Sequence, residues 1–271
     1  MQISRRHDRA LKPRTALLTA VQIVVTAGSA TKPRSTTPNP GIAMNKITVT
    51  LNGPYLVEGG IPLAHQHIVA NVQGESLEWR QGESVTAPAR YALCRCGQSA
   101  TKPFCDGAHQ RVGFDGAETA SRRPYAMQAE RIVGPTMVLA DAKALCAFAR
   151  FCDAKGQVWN LVLESDQAAA AGLVEHEAGS CPGGRLVAAQ RASGQADEHT
   201  LEPHFAASIG LVHDTAKGVG GPLWVRGGVA VTAADGYAYE VRNRVALCRC
   251  GASANKPFCD GSHVSAGFTD A

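Results

Sequence analysis

The sequence predicts an α+β fold in which two small β-rich modules flank a small middle domain. Three observations carry that expectation. The segments Cys94–His109 and Cys248–His263 are near repeats, each an array C-x-C-x8-C-x3-H with three thiols and one imidazole. Ahead of each array stand a Gly-Pro pair (Gly53-Pro54, Gly221-Pro222) and a Gly-Gly pair (Gly59-Gly60, Gly227-Gly228), the punctuation of short strands joined by turns and bulges. Between the repeats lies a segment of different character, rich in Ala and Leu, with three further cysteines.

Each element follows from local pattern. Tyr237, Tyr239, Val241, Val245 and Leu247 alternate with polar or small residues after an Asp235-Gly236 turn, so a strand should lead into the second array. In an extended chain, residues two apart share a side, so Cys94 with Cys96, and Cys248 with Cys250, can present both sulfurs to one object. Cys105 and His109, like Cys259 and His263, are four apart, one helical turn, with Asp106 and Asp260 as expected N-caps. Soft thiolates with a borderline imidazole suit iron–sulfur clusters or zinc and not calcium or magnesium.

The full signature, C-x-C-x2-S-x3-P-x-C-D-G-(S/A)-H, resembles that of the CDGSH iron–sulfur domain, the mitoNEET-like family, at every signature position of both copies, with Ala108 where the second copy has Ser262. The resemblance implies two [2Fe–2S] clusters, one on Cys94, Cys96, Cys105 and His109, the other on Cys248, Cys250, Cys259 and His263. A pair of zinc knuckles is the alternative that the ligand set alone would also fit. Because single-motif members of that family pair as dimers, two copies in one chain imply an intramolecular pair within a monomer, with the middle domain inserted.

Cys146, Cys152 and Cys181-Pro182 remain. Their pattern, with Ala149 where a middle ligand would fall, resembles a divergent mono-cluster ferredoxin loop lacking one ligand, which implies a third, [3Fe–4S] cluster. The competing reading takes Leu139–Ala154 as a helix, in which residues six apart are turned by about 120° and rise about 9 Å, so that they are free buried thiols instead. The middle domain is accordingly expected to be ferredoxin-like or helical.

The domains expected are a disordered or mis-extended tail over 1–43, CDGSH-like modules over 44–118 and 207–271, and the middle domain over 126–205. The tail holds seven Lys or Arg against Asp8 alone, so the overall +4 charge is a property of the tail and not a nucleic-acid surface. Its Arg-rich start and apolar run from Ala16 to Ala27 resemble a secretory signal, but Thr19, Gln22 and Thr26 interrupt that run, and Met44 before the strand-like Lys46–Leu51 looks the better beginning. Nine cysteines in metal-ligand spacing argue for a reducing compartment, the cytoplasm, and no apolar run reaches bilayer length. A 14-residue excess in the first module carries His65 and His67, read as a solvated edge, like the isolated His176, His199, His204 and His213.

No nucleophile elbow, phosphate loop or dinucleotide fingerprint is present, so the chain reads as an electron carrier or cluster donor acting on a redox or cluster-acceptor protein. The alternatives are a structural zinc protein and a relay subunit of an oxidoreductase. Arg95, Lys102, Arg249 and Lys256 flank the ligands, where they would offset cluster charge or guide an acidic partner, or simply be solvated.

Overall fold

The computed structural model describes residues 45–191 and 198–270. The tail expected over 1–43 lies outside them. The first module supplies β1 (Lys46–Val49), β2 (Tyr55–Glu58), β3 (Leu63–Ala70), β4 (Ser76–Val85), β5 (Arg90–Leu93) and the single-turn α1 (Ala108–Arg111). The middle segment supplies β6 (Glu130–Val133), β7 (Met137–Asp141), α2 (Val158–Leu161), α3 (Ala168–Gly179), β8 (Leu186–Arg191) and β9 (Glu198–Thr200). The last module supplies β10 (Ser208–Asp214), β11 (Val219–Arg226), β12 (Ala230–Thr232) and β13 (Arg244–Leu247).

The two modules exchange strands. One sheet runs β12-β1-β2-β5 and the other β13-β11-β10-β3-β4, so the first module lends the hairpin β3-β4, joined through β3, and the last module lends β12. Both loans are parallel: Ile47 pairs with Val231, and Leu63 pairs with Ile209. Parallel neighbours need long connections, and the whole middle segment supplies one. The chain leaves for the other sheet at the Gly-Gly pairs, where Gly59, Gly60, Gly227 and Gly228 all have φ between 69° and 102°; a Cβ on Gly227 would stand 2.5 Å from the Ala206 backbone.

Period-two alternation builds the core between these sheets. Ile47, Val49, Tyr55, Val57 and Leu93 of one meet Ile209, Leu211, Leu223, Val225, Val245 and Leu247 of the other, and all are buried. The first sheet reads as one-faced, as β1 and β5 show with every second residue buried. The strands β11 and β13 are instead buried along nearly their whole length, because Ile68, Val212 and Trp224 on the second face pack against Ala149 and Phe151 of the middle segment.

The middle segment is a four-stranded antiparallel sheet, order β6-β7-β8-β9. Val158, Val162, Val174 and Ala178 of its helices pack on Met137, Leu139, Leu186 and Ala188. A helix over Leu139–Ala154 does not form. Met137–Asp141 pairs with β8 instead, and short 3₁₀ turns at Lys143–Leu145 and Phe151–Asp153 bracket an irregular loop. Two tertiary demands override the propensity: burial of alternate residues in β7, and the clasp of Asp141 by Arg185 and Trp159. The strand expected over Tyr237–Leu247 is likewise shorter, since only Arg244–Leu247 pairs with β11.

Candidate metal centres

In each module the strand before the array continues into the first two cysteines, and the chain then doubles back. The Cys94 amide donates to Pro103 O and the Cys105 amide to Ala92 O, as Cys248 does to Pro257 O and Cys259 to Ala246 O. The return is held by the signature residues themselves. Ser99 Oγ donates to Phe104 O, and Asp106 accepts from the amides of Ala100 and Ala108; Ser253 and Asp260 repeat this with Phe258, Ala254 and Ser262. The aspartates are therefore loop clasps. The N-cap of α1 is Gly107, and the second module has only turns at that place.

The candidate ligands stand in pairs. Cys94 and Cys96 Sγ are 3.7 Å apart, and Cys105 Sγ is 3.4 Å from His109 Nδ1; Cys248 with Cys250 and Cys259 with His263 give the same 3.7 Å and 3.4 Å. Two ligands on one tetrahedral metal with bonds of about 2.0–2.3 Å are separated by about 3.5–3.7 Å, so each pair is spaced as two ligands of one tetrahedral metal would be. Among the described residues, no three His, Cys, Asp or Glu side chains converge on one metal position. Amides of Gln98, Gly107 and Gly261 point at ligand sulfurs from 3.4–3.5 Å, which favours thiolate.

Burial makes these sites hungry for a cation. The Cys248 thiolate is held down to about 6 by the S–H that Cys250 donates to it, and Cys250 is pushed up by the same contact. Burial pushes Cys96 up to about 11 and raises Cys259 as well. Desolvation also lowers His263 to about 4, which keeps its imidazole in the neutral, ligating form.

Sequence reasoning missed how the two arrays are locked together. Cys96 and Cys250 face each other in an antiparallel bridge, and a Cβ on Gly97 would stand 2.5 Å from Cys250 O, one on Gly251 2.6 Å from Cys96 O. The buried Tyr55 hydroxyl of the first module is shared between Cys248 O (2.7 Å) and Pro257 O (3.0 Å) of the second. Arg95 and Arg249 are not solvated: they are 1% and 3% exposed. Arg95 donates to Thr50 O and Gly116 O, while Arg249 donates to Gly221 O, Val212 O and both oxygens of Asp270. A 193-residue separation gives the Tyr55–Cys248 contact no local signature.

The sites differ in cover. His109 is half-buried, whereas His263 is 3% exposed. The difference comes from the middle segment: Ala147 packs with Ala246 and Cys259, and Phe148 lies against Gly261. The same loop carries the remaining cysteines. Cys146, Cys152 and Cys181 line one cavity together with Ala149 and Arg185, about 290 Å³ of empty space including its mouth. Burial pushes the Cys152 thiol up to about 12.

His65, His67 and His213 are gathered by the pairing of β3 with β10, with His65 Nδ1 2.7 Å from His213 Nε2 and ring centroids 4.9–6.4 Å apart. All three are half-buried, and His65 and His213 are hydrogen-bonded to each other, so this is not a solvated edge. No described helix is long and apolar enough to cross a membrane.

Two stretches, residues 52–110 and 220–264, match the sequence model of the family described as iron-binding zinc finger, CDGSH type. Comparison with curated proteins and with solved structures finds no match. The matched stretches contain all eight of the paired Cys and His residues, so the chain carries two tandem stretches similar to the CDGSH type.

Proposed function

We infer that each CDGSH-type segment holds a [2Fe–2S] cluster through its three cysteines and one histidine, and that the protein carries electrons or hands over clusters. The single observation behind this reading is the grouping of each ligand set into two pairs, each spaced as one tetrahedral edge. A mononuclear zinc knuckle would draw all four ligands to one centre, so the pairing favours two metals per site.

Such a cluster accepts and releases one electron, and replacing one thiolate by neutral imidazole makes electron uptake easier. The chain's own residues set the rest. Buried Arg95 and Arg249 place fixed positive charge inside each Cys-x-Cys turn. The histidines would ligate through Nδ1, the nitrogen facing the neighbouring sulfur, which leaves the Nε2–H to donate a hydrogen bond or exchange its proton.

A third site at Cys146, Cys152 and Cys181 is supported by its loop. Among the described residues, the backbone N–H groups of 147–152 donate to no protein acceptor, and Phe148 and Arg150 adopt φ of 54° and 61°. Amide concavities built from such left-handed residues bind anions, including iron–sulfur clusters. Three thiols fit a [3Fe–4S] cluster, with Ala149 on the wall where a fourth ligand would stand. The test is electron paramagnetic resonance of oxidised protein: a three-iron centre gives a signal, and oxidised [2Fe–2S] centres are silent. No signal would remove the third cluster and leave the outer pair.

A further inference from the structure

On the outer face of the second sheet, where β3, β4 and β11 meet the end of α3 and the Thr200–Phe205 segment, lies a cleft of about 1240 Å³, its open mouth included. Its lining is unusual in having donors without acceptors. Gln66 is 1% exposed and Trp224 2% exposed, yet among the described residues Gln66 Nε2 and Trp224 Nε1 have no hydrogen-bond partner. Arg226 Nε is likewise buried and unpaired. Its guanidinium pairs with no carboxylate and donates to no described residue; it lies 4.5 Å from the Trp224 ring centre and 5.7 Å from that of Phe205.

Buried polar groups are normally satisfied, and each one left unpaired is destabilising. Three such donors lining one cleft, one of them a cation without a counter-ion, are arranged for a ligand that accepts hydrogen bonds and carries negative charge. Desolvation lowers the pKa of Arg226, a strain that an anion would relieve. Two carboxylates also line the cleft, but Glu202 is engaged by Arg244 and Asn243, and Glu175 stands exposed. Trp79, Trp224 and Phe205 form the apolar part of the wall, with Trp79 and Trp224 centroids 4.5 Å apart.

We propose that this cleft binds a small organic carboxylate with a flat, apolar body, its carboxylate on Arg226, Gln66 and the Trp224 indole N–H and its body against the aromatic wall. The site shares no residue with the cysteine centres, so it stands or falls independently of them.

The probe is benzoate, titrated into the full-length, metal-loaded protein by calorimetry, with benzamide as its uncharged isostere. Benzoate should bind saturably and shift the Trp224 indole N–H resonance while leaving that of Trp159 unmoved. Benzamide should bind at least about tenfold more weakly, and Arg226→Met should lose at least about tenfold in benzoate affinity while Arg226→Lys retains more. Because Trp224 is read in the unaltered protein, a variant that fails to fold does not remove the test. Saturation absent at about 10 mM benzoate, equal binding of benzamide, or unchanged affinity in folded Arg226→Met would each overturn the proposal and leave these donors to ordered water.

Discussion

Phe148 of the middle segment lies over Gly261 of the second array, so close that a Cβ on Gly261 would stand 3.0 Å from Phe148 Cβ. Among the described residues no counterpart of Phe148 covers the first array, where His109 is half-buried. Protonation of a ligating histidine breaks its metal bond, and the proton must first reach it. Acidification should therefore bleach the visible absorption in two phases, the first module ahead of the second. His109→Cys should remove the fast phase, and Phe148→Ala should speed the slow one. A single phase in the unaltered protein would contradict the asymmetry.

Gly97 and Gly251 are left-handed, with φ of 76° and 83°, and each touches the opposite cysteine's carbonyl. Gly97→Ala should cost at least about 2 kcal/mol by thermal or denaturant unfolding, since backbone must move. Gly236→Ala is the control: its φ is 87° but nothing lies within 4 Å of the added Cβ, so about 1 kcal/mol is expected. Equal losses would show that the close approach of the two arrays carries no energy.

Glu177 on α3 is fully buried, with Oε1 accepting from the Lys155 amide and Oε2 unpaired, and burial raises it to about 7. Between its ordinary value near 4.5 and about 7 the folded state holds a proton that the unfolded chain releases, so this group's contribution to stability falls as pH rises through that window. Glu177→Gln keeps the hydrogen bond without the charge. It should be more stable than the parent at pH 8 and close to it at pH 4.5, read by chemical denaturation at both values.

The closeness of Cys94 to Cys96, Cys105 to His109 and their counterparts was legible because each candidate set lies within sixteen positions, and local spacing carries that information. The Gly-Gly pairs were legible as turns but not as the points where strands cross between sheets, because the parallel partners Leu63 and Ile209 have no local relation. Tyr55 braces the other module's loop through a hydroxyl contact that has no local relation in sequence. Arg95 and Arg249 read as bases that offset cluster charge, guide an acidic partner or are solvated, since charge alone does not reveal the carbonyls that Thr50, Gly116, Val212 and Gly221 turn toward them. The helix over Leu139–Ala154 failed where propensity met the demand of β7 for a partner in β8.

The middle loop gives a sharp pair of substitutions. Cys181→Ala should abolish the oxidised-state resonance signal while leaving the absorption of the outer sites unchanged. Ala149→Cys, which adds a thiol to the wall of the same cavity, should convert the centre toward a four-iron form. If the three cysteines are only packed thiols, Cys181→Ala changes stability by about 1 kcal/mol and no signal exists to lose.

The most direct measurement is the iron, zinc and acid-labile sulfide content of protein purified without oxygen. Two [2Fe–2S] sites and one [3Fe–4S] site correspond to about seven iron and about eight sulfide per chain, with visible absorption and negligible zinc. About four of each would retain the outer pair and remove the middle site. About two zinc per chain, no sulfide and no colour would contradict the cluster reading itself, since zinc is d¹⁰ and needs no sulfide.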